Sequence, residues 1–295
     1  AGALLLLAGD LQNPGQLELC LAAPEFVAES LGFFLVCFAL ERVAPYCAQW
    51  NRLGRAEAND WWLYISALGP AEFLARSLAF AGSAWLMRDA QAWPWPLSTM
   101  AAGSLWPESW PFWIQLLIAL LIFDFGYYWY HRLSHDSSFG NGLLWRWHRL
   151  HHTPEYLIAQ KSFRHSFPEW GADVLLHTSV FLLLGVPAQV VLTLYAITIP
   201  IGVLSHANLA VPHLPVLGDW LNLPSTHRVH HDRDLRGGMS NFSAFTKIWD
   251  HVFGTYVSPR EYTPRSLGLH VNPEAKDQAE APIAERPLSL WASFL

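Results

Sequence analysis

The sequence predicts an all-α integral membrane protein with four to five transmembrane helices and a helical cap on the cytoplasmic side. Three observations carry that expectation. Of 295 residues, 18 are Lys or Arg and 24 are Asp or Glu, so 14% are charged, against roughly 25% in soluble domains. Apolar residues make up 52%, with 16 Trp, 17 Phe and 9 Tyr, enough to fill a core and cover a lipid-facing surface. The charges are also missing in blocks: none of Asp, Glu, Lys or Arg occurs from residue 174 to residue 218.

The expected spans follow in chain order, each needing about 20 apolar residues to cross the hydrocarbon core. Segments 24–44 and 61–86 are candidates that carry charges: Glu25, Glu29 and Glu41 in the first, Glu72 and Arg76 in the second. Segment 110–130, WPFWIQLLIALLIFDFGYYWY, has Asp124 as its one charge. The charge-free block divides at Gly185, Val186 and Pro187, a turn signal, and reads as a helical hairpin over 171–186 and 188–208. Basic residues collect on the cytoplasmic side of short loops. Arg52 and Arg55, then Arg132, Arg146, Arg149, Lys161 and Arg164, then Arg228, Arg233, Arg236, Lys247, Arg260 and Arg265 all fall on one side if there are five spans. Segment 87–109 has only Arg88 and holds Trp93, Trp95 and Trp106, as expected of an interfacial belt on the opposite face.

The start, AGALLLLAGD, has no basic n-region and is followed by further spans, so no cleavage is expected. The chain is expected to form one membrane domain over 1–295, with a motif-bearing core at about 120–257 and a tail at 258–295. The Pro residues at 264, 273, 282 and 287 make the tail a loop, and its last residues, LSLWASFL, a short surface anchor. A net charge of −6 and a pI near 6.1 discourage a nucleic-acid partner. Cys20, Cys37 and Cys47 contain no CxxC pair, so neither a disulfide framework nor a thiolate metal site is expected.

Histidine is the other anomaly. Of 14, eight fall in three phrases: HRLSH (His131, His135), HRLHH (His148, His151, His152) and HRVHH (His227, His230, His231). On a helix, positions i, i+3 and i+4 share a face, so each phrase presents two or three imidazoles together. A lone His in an apolar helix is usually a satisfied core residue, but coincidence does not account for three clusters on one expected membrane side. Imidazole suits iron, zinc, copper and nickel, and eight nitrogens exceed the four to six that one ion takes. Two metals are the economical reading, which makes the cap the carrier of a polyhistidine di-metal site. There is no HExxH and no cysteine pair, which argues against zinc-protease and zinc-finger sites. Ions without thiolate ligands keep most of their positive charge, which suits ferrous iron. Asp124, two helical turns before His131 and inside an apolar span, is a functional candidate. It could accept the free ring N–H of a ligating His or pair with Arg132. Asp232 and Asp250 are further outer-shell candidates, and Asn241 a candidate to bind a metal-linked water.

These phrases resemble those of the fatty acid hydroxylase and sterol desaturase superfamily of membrane-bound di-iron oxygenases. The resemblance rests on DFGYYWYHRLSH (124–135), WRWHRLHHTPE (145–155), SHANL (205–209), NLPSTHRVHHDRD (222–234) and IWDHVFGTYVSP (248–259), in that order. HRVHH with WDxxFGTY looks most like the branch that contains alkylglycerol monooxygenase and its bacterial relatives. The resemblance implies that the eight clustered histidines are iron ligands. It adds His206 of SHANL as a further ligand, and places His165 of FRHSFPE, where relatives often have His-Pro-x-Glu, as an outer-shell or substrate-side residue. His177, His213, His251 and His270 are expected to be structural.

The resemblance further implies two iron ions, dioxygen as cosubstrate and hydroxylation of an unactivated C–H bond of a lipid, with desaturation or methyl oxidation of a sterol, carotenoid or acyl lipid as the alternative. A non-catalytic metal-binding membrane protein is a third reading, but it predicts histidines spread through the spans. No His-Pro-Gly-Gly haem phrase or GxGxxG occurs, so electrons are expected from a separate ferredoxin, a cytochrome b5-like protein or a reduced pterin. Arg228, Arg233 and Arg236 could dock such a donor, or follow simply from the positive-inside rule. The expected location is a bacterial inner membrane, with the metal site facing the cytoplasm.

Overall fold

A computed structural model describes residues 31–51, 54–64, 105–211, 213–214 and 216–269. The described residues are mostly helical; their extended pairings are three isolated bridges, Pro45 with Leu209, Leu221 with Thr246, and Asp232 with Leu267. The principal helices are α1 (31–43), α2 (Arg55–Leu63), α3 (Phe112–Ser134), α4 (Leu143–His152), α5 (Phe167–Leu184), α6 (Ala188–His206), α7 (Pro224–His230) and α8 (Ile248–Val252). Most of the expected span at 61–86, the first part of 24–44, the interfacial belt before residue 105, and the tail from 270 lie outside the described residues.

α3 starts at Pro111, which cannot continue a preceding helix as a donor. Its one polar residue in the first turn is satisfied: Gln115 accepts from Trp106 Nε1 at 2.8 Å and donates to the carbonyls of Glu108 and Trp110. α5 and α6 form the expected hairpin. Gly185 makes the turn at φ 73°, a region nearly closed to residues with a Cβ, and Pro187 opens α6. Trp106, Leu116, Ala119, Phe123, Phe181, Val190 and Leu194 form a buried core between α3, α5 and α6. A second core, of Phe34, Cys37, Ala159, Val203, Ala207 and Leu209, seats α1 against the end of α6.

Two helices are long and apolar enough to cross a membrane, Phe112–Ser134 and Gln189–His206. Only 33% of either apolar window is buried inside the protein, and most of the remaining residues are partly buried. Trp113, Leu117 and Leu175 stand exposed on α3 and α5, and patches of this kind mark membrane or partner surfaces. α5 begins among Glu169 and Asp173, which shortens its apolar stretch at that end.

The fold gathers helix ends. His131 is in the last turn of α3, with His135 just after it, and His206 is the last residue of α6. α4 follows a left-handed run at Gly140, Asn141 and Gly142, φ 55–70°, which reverses the chain and brings His148, His151 and His152 back beneath α3.

Candidate metal centre

All nine histidines expected as ligands are buried, and they separate into two groups. One comprises His131, His135, His148, His152 and His230; the other His151, His206, His227 and His231, with the potential ligand atoms in each group within 4.8 Å of one another. Each HxxHH phrase contributes to both. His148 and His152, four apart, go to the first group and His151 to the second; His227 and His231 go to the second and His230 to the first. Successive helical residues are rotated by about 100°, so adjacent histidines point apart while the i, i+4 pair stays together.

The Nε2 atoms converge. His131 Nε2 lies 3.0 Å from His148 Nε2, which lies 3.0 Å from His152 Nε2, and that atom is 3.2 Å from His230 Nε2. In the second group His206 Nε2 is 3.0 Å from His151 Nε2 and 2.9 Å from His227 Nε2, and His231 Nε2 is 3.0 Å from His227 Nε2. Four of the opposite ring nitrogens are held by outward hydrogen bonds. His131 Nδ1 donates to Phe242 O at 2.7 Å, His230 Nδ1 to Ser240 O at 2.8 Å, and His206 Nδ1 to Gly202 O at 2.8 Å. His148 Nδ1 donates to the Glu169 carboxylate at 2.5 Å.

A neutral imidazole with its proton on Nδ1 has only a lone pair on Nε2. Lone pairs facing each other at 3.0 Å, as in His131 and His148, repel unless a cation sits between them. Nitrogens about 2.0–2.1 Å from one ion, at right angles about it, are about 3 Å apart, so the observed spacing fits shared coordination. Burial first, then the neighbouring imidazoles, holds His151, His152, His227 and His230 well below the usual histidine pKa. They are neutral at neutral pH, the form a metal requires.

The other candidates take different places. Asp124 does not hold a histidine. It accepts from Phe245 N and Thr246 N at 2.9 Å and from Thr246 Oγ1, while His131 Nδ1 turns to Phe242 O instead; a backbone loop has come between carboxylate and ring. Asp250 accepts from Phe242 N and Ser243 N and from Thr255 Oγ1. Asn241 spends its side chain on Val257 N, Val257 O and Thr226 O, so it is a loop brace rather than a water ligand. Asp232 accepts from Tyr262 Oη and Ser266 N. His165 lies beside the second group, stacked on His151 with centroids 4.4 Å apart; its Nε2 bonds Ser162 O and its Nδ1 lies 3.1 Å from Glu169 Oε1.

His177 bonds Asp173 and Phe123 O, His213 bonds Asp219, and His251 bonds Asp219 O. Each is satisfied away from both groups. His270 lies outside the described residues. The proposed basic docking patch does not form as a unit: Arg228 is buried with its guanidinium 3.8 Å from the Tyr46 ring centroid, Arg233 pairs with Glu155 at 2.7 Å, and Arg236 lies over Tyr262.

Among the buried charges that the sequence reading did not single out, two bear on the histidine groups. Glu169 bridges His148 and His165, and although burial pushes its pKa upward, the two rings win and hold it well below the usual carboxylate range. Its signal was present as the acid of FRHSFPE. Lys247, fully buried, donates to Asn241 O at 3.0 Å and Ser243 O at 2.8 Å. Nothing in the sequence distinguishes it from a solvated loop lysine.

Fold and site together define a class: a helical protein with membrane-length helices whose ends enclose a buried, metal-competent double histidine cluster. The fatty acid hydroxylase family model matches residues 116–255, a stretch that includes all nine histidines expected as ligands and is similar to that family. The chain is 29% identical over 236 residues to the ornithine lipid hydroxylase OlsE of Rhizobium tropici, covering 78% of this chain and 66% of that protein. It is 33% identical over 156 residues to the alkylglycerol monooxygenase of Danio rerio, 52% of this chain and 32% of the relative. With the Homo sapiens alkylglycerol monooxygenase the identity is 26% over 254 residues, 84% and 52%. The chain thus spans between about a third and two thirds of these relatives' lengths. No solved structure matches it.

Proposed function

We propose that the protein is a membrane-bound di-iron enzyme that uses dioxygen to hydroxylate an unactivated C–H bond of a lipid. The observation that carries the reading is the pair of buried histidine groups with their Nε2 atoms turned inward. His131, His135, His148, His152 and His230 would hold one ion, and His151, His206, His227 and His231 the other. When bound, iron supplies the reductive activation of dioxygen that the protein side chains cannot. The balance is one C–H bond and one dioxygen, with two electrons and two protons, giving an alcohol and water. The electrons come from a separate ferredoxin, a cytochrome b5-like protein or a reduced pterin.

The chain's own residues orient and shield. The Phe242, Ser240 and Gly202 carbonyls and the Glu169 carboxylate fix ring tautomers, and Phe242, Trp145 and Tyr127 pack around the histidines and exclude water. A groove of about 200 Å³ between α3 and α6 is lined by Trp113, Leu116, Leu117, Leu120, Leu194, Ile197 and Phe245. It is apolar and suits a hydrocarbon chain. The relatives' names, a lipid hydroxylase and alkylglycerol monooxygenases, support a lipid substrate. In this reading chain 1–295 is one multi-pass domain of four to five spans, with the histidines on the cytoplasmic side of a bacterial inner membrane.

Comparative lipid mass spectrometry of cells with and without the protein, under heavy-isotope dioxygen, tests the proposal. The expected product carries the label in a new hydroxyl. An unlabelled alkene would assign desaturation, and an unchanged lipidome with metal uptake alone would leave only metal binding.

A further inference from the structure

The loop 239–247 packs the Phe242 ring on the five-histidine group and hydrogen-bonds it twice, both times through a backbone carbonyl. Ser240 O receives His230 Nδ1–H and Phe242 O receives His131 Nδ1–H. Neither carbonyl belongs to a helix or a ladder, so regular secondary structure does not hold it in place. Buried charges do. Asp250 takes Phe242 N at 2.8 Å on one oxygen and Ser243 N at 2.9 Å on the other. Lys247 Nζ reaches back to Asn241 O and Ser243 O and lies 3.7 Å from Asp250. Asp124, from the middle of α3, grips Phe245 and Thr246. Asp124, Lys247 and Asp250 are all fully buried. Three buried charges that converge on one short loop are expensive to desolvate, which marks the loop's position as one the fold must hold.

We propose that Asp250, Lys247 and Asp124 form a buried bracket that positions the Ser240 and Phe242 carbonyls, and so keeps His131 and His230 with Nε2 presented to the five-histidine group. The bracket rests on the metal-centre reading and deepens it. Both carbonyl bonds fall on the five-histidine group, whereas in the other group His206 is fixed by Gly202 O. The phrase IWDHVFGTY then has a role, because Asp250 also accepts from Thr255 Oγ1 and Thr255 O receives Asn241 N. These residues position ligands and are not themselves catalytic.

The test is cobalt(II) titration of the detergent-purified, chelator-stripped protein, read by metal stoichiometry and the ligand-field spectrum. Wild type is expected to take up two equivalents. Asp250→Asn is expected to keep one equivalent at wild-type affinity and bind the other about 10–100-fold more weakly, the range for loss of an outer-shell partner. His151→Ala, which strikes the other group, is expected to weaken the complementary equivalent and leave a different residual spectrum. A variant of the bracket that binds both equivalents as wild type does, or that weakens both alike, overturns the proposal. If Asp250→Asn does not give a folded protein by circular dichroism, Lys247→Met and Thr246→Val are judged by the same criterion. Wild-type protein that takes up no cobalt overturns the metal-centre reading and the bracket together.

Discussion

Glu169 accepts a 2.5 Å hydrogen bond from His148, 21 positions earlier in the chain, and the same oxygen lies 3.1 Å from His165 Nδ1. One buried carboxylate therefore orients a member of the five-histidine group and anchors the ring stacked on His151 of the other. A carboxylate behind a ligating imidazole fixes its tautomer and raises its basicity.

Replacing it should weaken metal binding without dismantling the fold. Glu169→Gln keeps the shape and removes the charge; the expected result is about a 10–100-fold loss in affinity for metal at the five-histidine group. Chelator competition followed by metal analysis measures this, and unchanged retention would mean that Glu169 serves packing alone.

The two groups should be separable by mutation despite their interleaved sequence. His148→Ala is expected to lower bound metal from two equivalents to one, and His227→Ala to do the same from the other side, each abolishing lipid hydroxylation. Elemental analysis of both variants together with lipid product analysis decides it; full turnover in His148→Ala would refute the site.

Glu41 is the link between α1 and the site. Its Oε1 accepts Ala159 N and Asn208 N, each at 2.7 Å, and Asn208 follows His206 by two positions. Glu41→Ala leaves two buried N–H groups unpaired, at about 1–3 kcal/mol each. A fall of several degrees in the thermal midpoint is expected. Glu41→Gln, which keeps an acceptor oxygen, should recover part of it.

The groove between α3 and α6 can be narrowed from its rim. Ile197→Trp adds bulk at a partly exposed lining position and is expected to raise KM for long-chain lipid several-fold more than for a short-chain analogue. Equal effects on both substrates would place the chain elsewhere.

Much of this was legible along the chain. The charge-free block, the Gly185 turn and the single-charge segment before His131 became α5, α6 and α3 because span length and turn chemistry are local properties. The histidine phrases were equally plain, since i, i+3 and i+4 spacing follows from helix geometry. Asp124 was singled out as a functional candidate to hold a ligating His or pair with Arg132, but its partners were not foreseeable: proximity along α3 favoured His131, whereas Phe245 and Thr246 arrive from 121 and 122 positions away.

What the sequence determined by itself was the presence of clustered imidazoles and of membrane-length helices, since helical period and composition settle them. Only the tertiary structure decided how they divide. His151 and His152 are neighbours in the chain yet belong to different groups, as do His230 and His231. The division depends on which helix ends meet and on distant carbonyls and carboxylates that turn each ring. Those contacts form when α3, α4, α6 and α7 pack, so no local pattern encodes them.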